Sequence, residues 1–442
     1  MKAFLRTLLL FVLILFLFSF IAGKKISDDP RVEWIKKNAV DIKSVDPSDT
    51  NFSDLEHLKK YINDSIKIVM LGEQSHGDGT TFLMKTRMIK FLHKEMGFDM
   101  IAFESNMFYC DEAWEDIKKS GDAYGKISKA VFDIWTSSAE VQPLICYIDE
   151  QSKTSNSLVM TGFDNQFYDV TQDPKLYKIF GNFLTTLRDN NIINISESEL
   201  DELIKFFPNQ SKDGYYAYKN KFEEISEKIL KERYNSLAEK LFPGKASYYF
   251  QLFESFSEHL KFFYLLKDNK YSGMDSNSSR RDIQMGKNLV WLQKNNPGKR
   301  IIVWAATFHE ARNLHNLNTD IVEPEAYKKV TTMGDIVDRE IGNKVYTIGF
   351  TAYDGMAGRI RNTPQAINKA REGTLEYLMN EAGFINAFVD FSSADKNFPL
   401  RQKISAKFLG YMEMEGDWTK TMDGFVYTKE MKPSTLKQYW QY

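Results

Sequence analysis

Short apolar runs that do not alternate with polar residues constrain the fold of this chain more than any other feature. Each run ends abruptly in polar residues. The runs are Ile66–Leu71, Met100–Phe103, Leu158–Phe163, Arg300–Ala306, Val345–Phe350 and, more weakly, Ala387–Phe391. Such runs are typical of strands that are buried on both faces of a mostly parallel sheet. We therefore predict an α/β fold in which helices flank a mostly parallel central sheet.

The first two runs and the segment between them predict a βαβ unit. Met84, Met88 and Phe91 fall on one face of a helix predicted over Thr81–Met96. Gly97 is a stop signal for that helix, and the second apolar run begins three residues later. The unit fixes the first two strands as parallel neighbours or near neighbours.

The middle of the chain has helical spacing and no convincing strand. Tyr249, Phe253, Phe256 and Leu260 recur in steps of four and three, a pattern that favours packing faces over cofactor sites. We predict a large helical insertion at about residues 173–290, within an α/β domain that spans residues 24–442.

The first residues have the pattern of a secretory signal. Lys2 and Arg6 precede the apolar run Leu8–Ala22, which is shorter than the ~20 residues that a membrane-spanning helix needs. We expect residues 1–23 to be a signal peptide or an uncleaved N-terminal anchor, and the protein to be periplasmic or extracellular. Any membrane contact would be made by this segment. In an oxidising compartment Cys110 and Cys146 either pair or remain two free thiols.

The charge balance excludes some partners. The chain has 58 Lys and Arg residues against 60 Asp and Glu residues, a formal net charge of −2, so it lacks the basic footprint of a nucleic-acid-binding protein. Two cysteines do not make a cysteine-rich zinc site, and no P-loop or dinucleotide fingerprint occurs. A small-molecule substrate is the partner that we expect.

Polar side chains follow the first four apolar runs. In open α/β sheets, ligands bind at the carboxyl ends of the strands, so these side chains are the candidate site. They are Glu73, His76, Glu104, Asp164, Gln166 and His309. Two histidines and three carboxylates are therefore expected to converge on one edge of the sheet.

His76 is the strongest single candidate. It lies in a glycine-flanked loop directly before a helix, where the helix dipole favours the neutral imidazole. A nearby carboxylate, from Glu73 or Glu104, would orient the ring as a general base toward water. The alternative is that His76 only satisfies backbone groups of its loop.

Other catalytic arrangements fit less well. Ser75 stands at a strand-to-helix turn, but the spacing from Gly72 is one residue longer than in the G-x-S-x-G nucleophile elbow. His309 and His315 are six positions apart, which excludes an H-E-x-x-H zinc helix. The favoured mechanism requires no cofactor, although a divalent metal held by His76, His309 and the carboxylates stays open.

The motif Gly72-Glu73-Gln74-Ser75-His76-Gly77, followed by a helix and a strand that ends in Glu104, resembles the erythromycin esterase family. The resemblance covers about residues 55–430. It continues through Arg281-Asp282-Ile283-Gln284-Met285, the strand Ile301–Ala306, Met333-Gly334 and Ile348-Gly349-Phe350.

The resemblance implies an α/β core with a helical insertion, and hydrolysis of an ester by activated water without a covalent serine intermediate. By position, His76 would be the general base, with Glu73 and Glu104 as supporting carboxylates and His309 as a second catalytic histidine. Lys85 stands where the family usually has an arginine. With Arg87, Asp164, Gln166 and Arg281 it completes the predicted substrate-binding set.

Ala306 and Thr307 depart from the family pattern, because they replace its first strand-end histidine and its asparagine. We predict a hydrolase that cleaves an ester or lactone-like bond of a small molecule. The alternatives are a catalytically weakened ligand-binding protein of the same fold and a metal-assisted hydrolase.

Overall fold

A computed structural model describes residues 29–120, 122–167, 174–206, 212–267, 279–318, 327–391 and 399–437. The predicted signal segment lies outside this range, so export stays a prediction. Within the described ranges, no helix is both long enough and apolar enough to cross a membrane.

The central sheet is mostly parallel, as predicted. Its strands are β1 Val40–Asp41, β2 Ile68–Glu73, β3 Met100–Asn106, β4 Val159–Asp164, β5 Ile301–Ala306, β6 Val345–Ala357, β7 Gln365–Ile367, β8 Asn386–Asp390 and, after the hairpin given below, β11 Gly424–Met431. The order is β1-β8-β11-β6-β2-β5-β3-β4, with β7 paired to β6. The pairs from β11 to β4 are parallel, whereas β1–β8, β8–β11 and β6–β7 are antiparallel. All six predicted strands are present, and β2 and β5 lie side by side near its centre.

Helices surround this sheet. They are α1 Pro30–Asn38, α2 Gly79–Met96, α3 Met107–Ser120, α4 Ala123–Ala130, α5 Asp133–Thr136, α6 Gln142–Ser152, α7 Pro174–Asp189, α8 Glu197–Phe206, α9 Lys212–Lys231, α10 Ser236–Leu241, α11 Ala246–Lys267, α12 Ser279–Asn295, α13 Thr307–Glu310, α14 Met333–Ile341 and α15 Leu375–Glu381. Short 3-10 helices lie at Glu56–Lys60, Ala139–Val141, Leu314–Asn316, Gly342–Lys344, Pro399–Arg401 and Trp418–Lys420.

Helix α2 confirms the predicted βαβ unit. Its apolar face, with Met84, Met88 and Phe91, is fully buried. Gly97 ends the helix with φ of 70°, a left-handed conformation that costs glycine little.

The segment from α7 to α11 packs largely on itself. Phe180, Phe183, Phe253 and Phe256 belong to one hydrophobic cluster, separate from the clusters that cover the sheet. Helix α12 differs, because Met285 and Leu289 pack with the sheet residue Val303. The helical character predicted for residues 173–290 is present in the described residues. Helix α12, at the end of the predicted insertion, packs on the central sheet and not on the other helices of the insertion alone.

Two strands outside the main sheet form a hairpin that the apolar runs did not predict. Strands β9 Ile404–Leu409 and β10 Met412–Gly416 pair antiparallel. Gly410 and Tyr411 turn between them with φ of 60° and 61°. The backbone N–H of Gly410 donates to the carbonyl of Gln74 at 3.2 Å, so the hairpin tip lies on the loop after β2. Of the two cysteines, Cys110 is buried and Cys146 is exposed, and both are free thiols.

Candidate active site

Glu73 and His76 form a hydrogen-bonded pair at the end of β2. The Nδ1 atom of His76 lies 3.1 Å from Oε1 of Glu73, and the indole Nε1–H of Trp135 donates to the same oxygen at 3.0 Å. The Trp135 and His76 rings meet edge to face, with centroids 5.2 Å apart. Glu73 is fully buried, while 18% of the His76 side chain is exposed. The carboxylate engages Nδ1, so Nε2 is the ring nitrogen that remains for other contacts.

Lys85 lies on the buried side of Glu73. Its ammonium group donates to Glu73 Oε2 and, at 3.2 Å, to the carbonyl of Ala305. It also lies 4.0 Å from the centre of the Trp304 ring, and the side chain is fully buried. Lys85 was predicted to bind substrate; the structure instead places it behind Glu73, where it holds that carboxylate.

A second cluster joins the ends of β3 and β4 to α12. The guanidinium of Arg281 donates to Glu104 Oε1 at 2.8 Å and grips Asp164 with two nitrogens, at 2.8 and 3.1 Å. Glu104 also accepts the backbone N–H of Ala306 at 3.0 Å. Arg281 thus holds the carboxylates of Glu104 and Asp164 in place at the ends of β3 and β4.

His309 is held between two carboxylates. Its Nδ1 lies 2.8 Å from Asp282 Oδ1, and its Nε2 lies 3.2 Å from Glu104 Oε1. Burial lowers the pKa of His309, but Asp282 and Glu104 outweigh burial and the nearby Arg281, and the pKa rises to about 10. Burial alone would raise the pKa of Glu104, whereas His309 and Arg281 hold it well below its usual range. The two carboxylates therefore favour the protonated ring, although Arg281 Nη1 also lies 3.2 Å from His309 Nε2.

Two further buried acids, Glu310 and Asp78, lie next to the site, and neither is among the residues predicted from the sequence. Burial raises the pKa of Glu310 well above its usual range, and its neighbours Glu73 and Glu104 add to this against the opposing effect of Lys85. Burial also raises the pKa of Asp78 to about 8, although Asp78 Oδ2 accepts the backbone N–H of Ser75 at 3.0 Å. At neutral pH the raised pKa keeps Asp78 largely protonated, and the shift in the pKa of Glu310 favours its protonated form as well.

A cleft of about 680 Å³ opens above these groups. Its described lining comes from the β2 loop, the end of β5, the β6–β7 connection and the β9–β10 turn. The residues include Gln74, Ser75, His76, Ala306, Phe308, His309, Arg359, Asn362, Asn368, Tyr411 and Met412. His76, Ala306 and His309 therefore line one space.

The convergence predicted from the strand ends is observed, with exceptions among the predicted binding residues. Arg87 does not join the site, because its buried guanidinium pairs with Asp54 at 2.7 and 3.0 Å. Gln166 lies at the edge of the second cluster, where its backbone N–H donates to Asp164 at 3.2 Å and its carbonyl accepts from Asn106. No described hydrogen bond links the Ser75 hydroxyl to His76. Among the described residues no three His, Cys, Asp or Glu side chains converge as metal ligands would.

The fold and the site together define an α/β protein with an oriented histidine and a carboxylate-bound histidine facing one cleft at the carboxyl edge of its sheet. A sequence model of the family described as "Erythromycin esterase" matches residues 93–433, so this chain belongs to the erythromycin esterase family.

Two named relatives agree with the assignment to this family. The Bacillus subtilis (strain 168) protein named "Putative hydrolase YbfO" is 26% identical over 455 residues, covering 97% of this chain and 98% of its own length. An erythromycin esterase type II from Escherichia coli is 20% identical over 381 residues, or 81% of this chain and 88% of that protein. These relatives support a hydrolase of this family.

Solved structures share the fold. A succinoglycan biosynthesis protein has a TM-score of 0.69 at 18% identity, covering 94% of this chain and 100% of its own. A Bacillus cereus protein has a TM-score of 0.71 at 17% identity, covering 93% and 99%. A mutant of the erythromycin esterase EreC, in its open conformation, has a TM-score of 0.64 at 14% identity, covering 88% and 96%.

Proposed function

We propose that this protein hydrolyses an ester bond of a small molecule, with His76 as the general base that activates water. The observation that carries the proposal is the pairing of His76 Nδ1 with the buried Glu73 carboxylate at 3.1 Å, beside the cleft. Such a pair fixes the ring orientation and stabilises the imidazolium that forms when Nε2 takes a proton.

In the proposed reaction, water adds to the ester carbonyl without a covalent intermediate on the enzyme. His76 Nε2 takes a proton from water as the oxygen attacks the ester carbonyl carbon, and the carbonyl oxygen becomes an oxyanion. The cationic His309, in the same cleft lining, stabilises that charge. The tetrahedral intermediate collapses, the carbon–oxygen ester bond breaks, and His76 returns its proton to the leaving alcohol.

A panel of chromogenic esters and lactones, with and without a chelator, tests the proposal. His76→Ala should lower kcat by about 10²–10⁴-fold, the usual contribution of a general base. His315→Ala, which changes an exposed histidine, is the matched control and should leave kcat unchanged. Equal turnover by His76→Ala and wild type would exclude His76 as the base. Loss of activity with the chelator would favour metal-assisted hydrolysis instead.

The replacement at Ala306 favours a second candidate, a ligand-binding protein with weakened catalysis. Ala306 is buried, lines the cleft and lies opposite Glu73 in the β2–β5 register, where the resemblance places a histidine. Binding of an ester without turnover by the wild type, together with turnover by Ala306→His, would support this candidate against the first.

A further inference from the structure

Arg359 is fixed close to His76 by the backbone. The β6–β7 connection passes over the β2 loop, and a Cβ atom on Gly77 would lie closer than 3.0 Å to the Gly358 carbonyl carbon and the Arg359 nitrogen. Only glycine fits this approach at position 77. Because Gly77 directly follows His76, the main chain of Arg359 is held one residue away from the proposed base.

The same connection makes a second contact, through Arg361. Arg361 pairs with Asp133 at 2.7 Å, and Asp133 begins α5, the helix that supplies Trp135 to Glu73. An exposed ion pair of this kind contributes little to stability. Its consequence is local, because it engages Arg361 and leaves Arg359 as the arginine of the connection that lines the cleft.

Arg359 has no acidic side chain near it in the described lining of the cleft. No Asp or Glu belongs to the described lining, and Arg359 is exposed without an ion-pair partner among the described residues. The carboxylates behind the cleft are already paired: Glu73 with Lys85, Glu104 and Asp164 with Arg281, and Asp282 with His309. Among the described residues that line the cleft, Arg359 is therefore a cation without an acidic partner, whereas His309 already has Asp282 and Glu104.

We infer that the substrate is an anionic ester, whose carboxylate or phosphate group binds Arg359 while its ester carbonyl lies beside His76. This inference rests on the proposed function, since it names the substrate class of the same site. A guanidinium binds planar oxyanions through two parallel hydrogen bonds, which gives both orientation and affinity. Its place in the same lining as His76 and His309 assigns it to substrate recognition.

Matched esters test the inference. Para-nitrophenyl hexanoate and mono-para-nitrophenyl adipate have the same acyl length and differ in a terminal carboxylate. The wild type should have a lower KM for the adipate ester, and Arg359→Gln should raise that KM about tenfold or more while kcat and the hexanoate KM stay unchanged. Arg359→Lys should give an intermediate KM, because lysine keeps the charge without the fork. Arg339→Gln, an exposed arginine on α14, is the control and should change nothing.

Failure of this inference is distinguishable from failure of the proposed function. Equal KM values for the two esters in the wild type, or equal losses for both in Arg359→Gln, would overturn the anionic substrate while leaving ester hydrolysis intact. If neither ester is cleaved, calorimetric titration with adipate decides. Binding by the wild type that Arg359→Gln abolishes supports an anionic ligand, and no difference between the two proteins overturns it.

Discussion

Glu310 is the residue whose surroundings are most unusual. It is fully buried, and neither carboxyl oxygen has a hydrogen-bond partner among the described residues. A Cβ atom on Gly72 would lie 2.7 Å from Glu310 Oε2, so the carboxyl group packs directly against the strand that carries Glu73. A charged form would be a further buried anion beside Glu73 and Glu104. The close packing of Glu310 against β2 therefore requires that its carboxyl group be protonated.

Glu310→Gln should raise the melting temperature at neutral and alkaline pH. In the folded protein burial raises the pKa of Glu310, while in the unfolded chain it titrates near 4.5. Folding therefore takes up a proton, and stability falls as pH rises above that unfolded value. The amide removes this loss, and we expect Tm at pH 8 to rise by about 2–4 °C, the shift that about 1 kcal/mol produces in large domains.

Circular dichroism melting curves at pH 4, 6 and 8 check this result. The gain of Glu310→Gln should shrink toward pH 4, where the wild-type carboxyl is protonated in both states. Glu310→Ala is the control for volume, and we expect it to lower Tm at every pH because it leaves a cavity. A lower Tm for Glu310→Gln at all three pH values would contradict the explanation.

At the scale of secondary-structure elements, α5 shows how a helix of one turn supports the site. It places Trp135, which is fully buried, so that the indole donates to Glu73 and packs on the edge of His76. Phe132, just before the helix, stacks on Trp135 with ring centroids 6.1 Å apart. The indole hydrogen bond and the lysine behind Glu73 fix both carboxylate oxygens.

Trp135→Phe should lower kcat for ester hydrolysis by about tenfold with little change in KM, because it removes one charge-assisted hydrogen bond of about 1.5–3 kcal/mol at the orienting carboxylate and keeps an aromatic ring. Steady-state kinetics on the preferred chromogenic ester measure the two constants separately. Trp418→Phe is the matched control, since Trp418 is equally buried but donates to the carbonyl of Ile404. Equal losses in both variants would show that the effect is general destabilisation.

The sequence predicts the strands and their polar ends because parallel strands bring their carboxyl ends to one edge. It does not predict which residues of α2 face that edge. Lys85 and Arg87 are two positions apart, about 200° around a helix, so one reaches Glu73 and the other Asp54. Trp135 escaped prediction for a similar reason, because its contact with Glu73 joins residues 62 positions apart. Strand β11 was also missed, since Lys429 and Glu430 interrupt its apolar pattern near the end.

At the scale of the whole molecule, the folded protein binds more protons at the site than the unfolded chain does. His309, Asp78 and Glu310 each have a raised pKa in the folded protein, two of them to about 10 and about 8. They come from β5–α13 and the loop before α2, and His309 depends on Asp282 of α12. The proton uptake therefore requires the complete fold. His57 and His259, whose pKa values burial lowers to about 4 and about 3, act in the opposite direction only below about 6.5.

The melting temperature of the wild type should therefore fall between pH 7 and pH 9. His309, with a raised folded pKa, contributes stability that is complete below its unfolded value of 6.5 and is lost as pH rises toward about 10. Asp78 and Glu310 hold protons that the unfolded chain has already released, so each also lowers stability as pH rises. The slope of the unfolding free energy is about 1.4 kcal/mol per pH unit for each proton taken up.

Calorimetry at constant ionic strength measures this slope, and Asp78→Asn combined with Glu310→Gln should make the slope shallower. Glu415→Gln, at an exposed position, should leave the slope unchanged, and a wild-type Tm that is level or rises over this interval would refute the proton uptake.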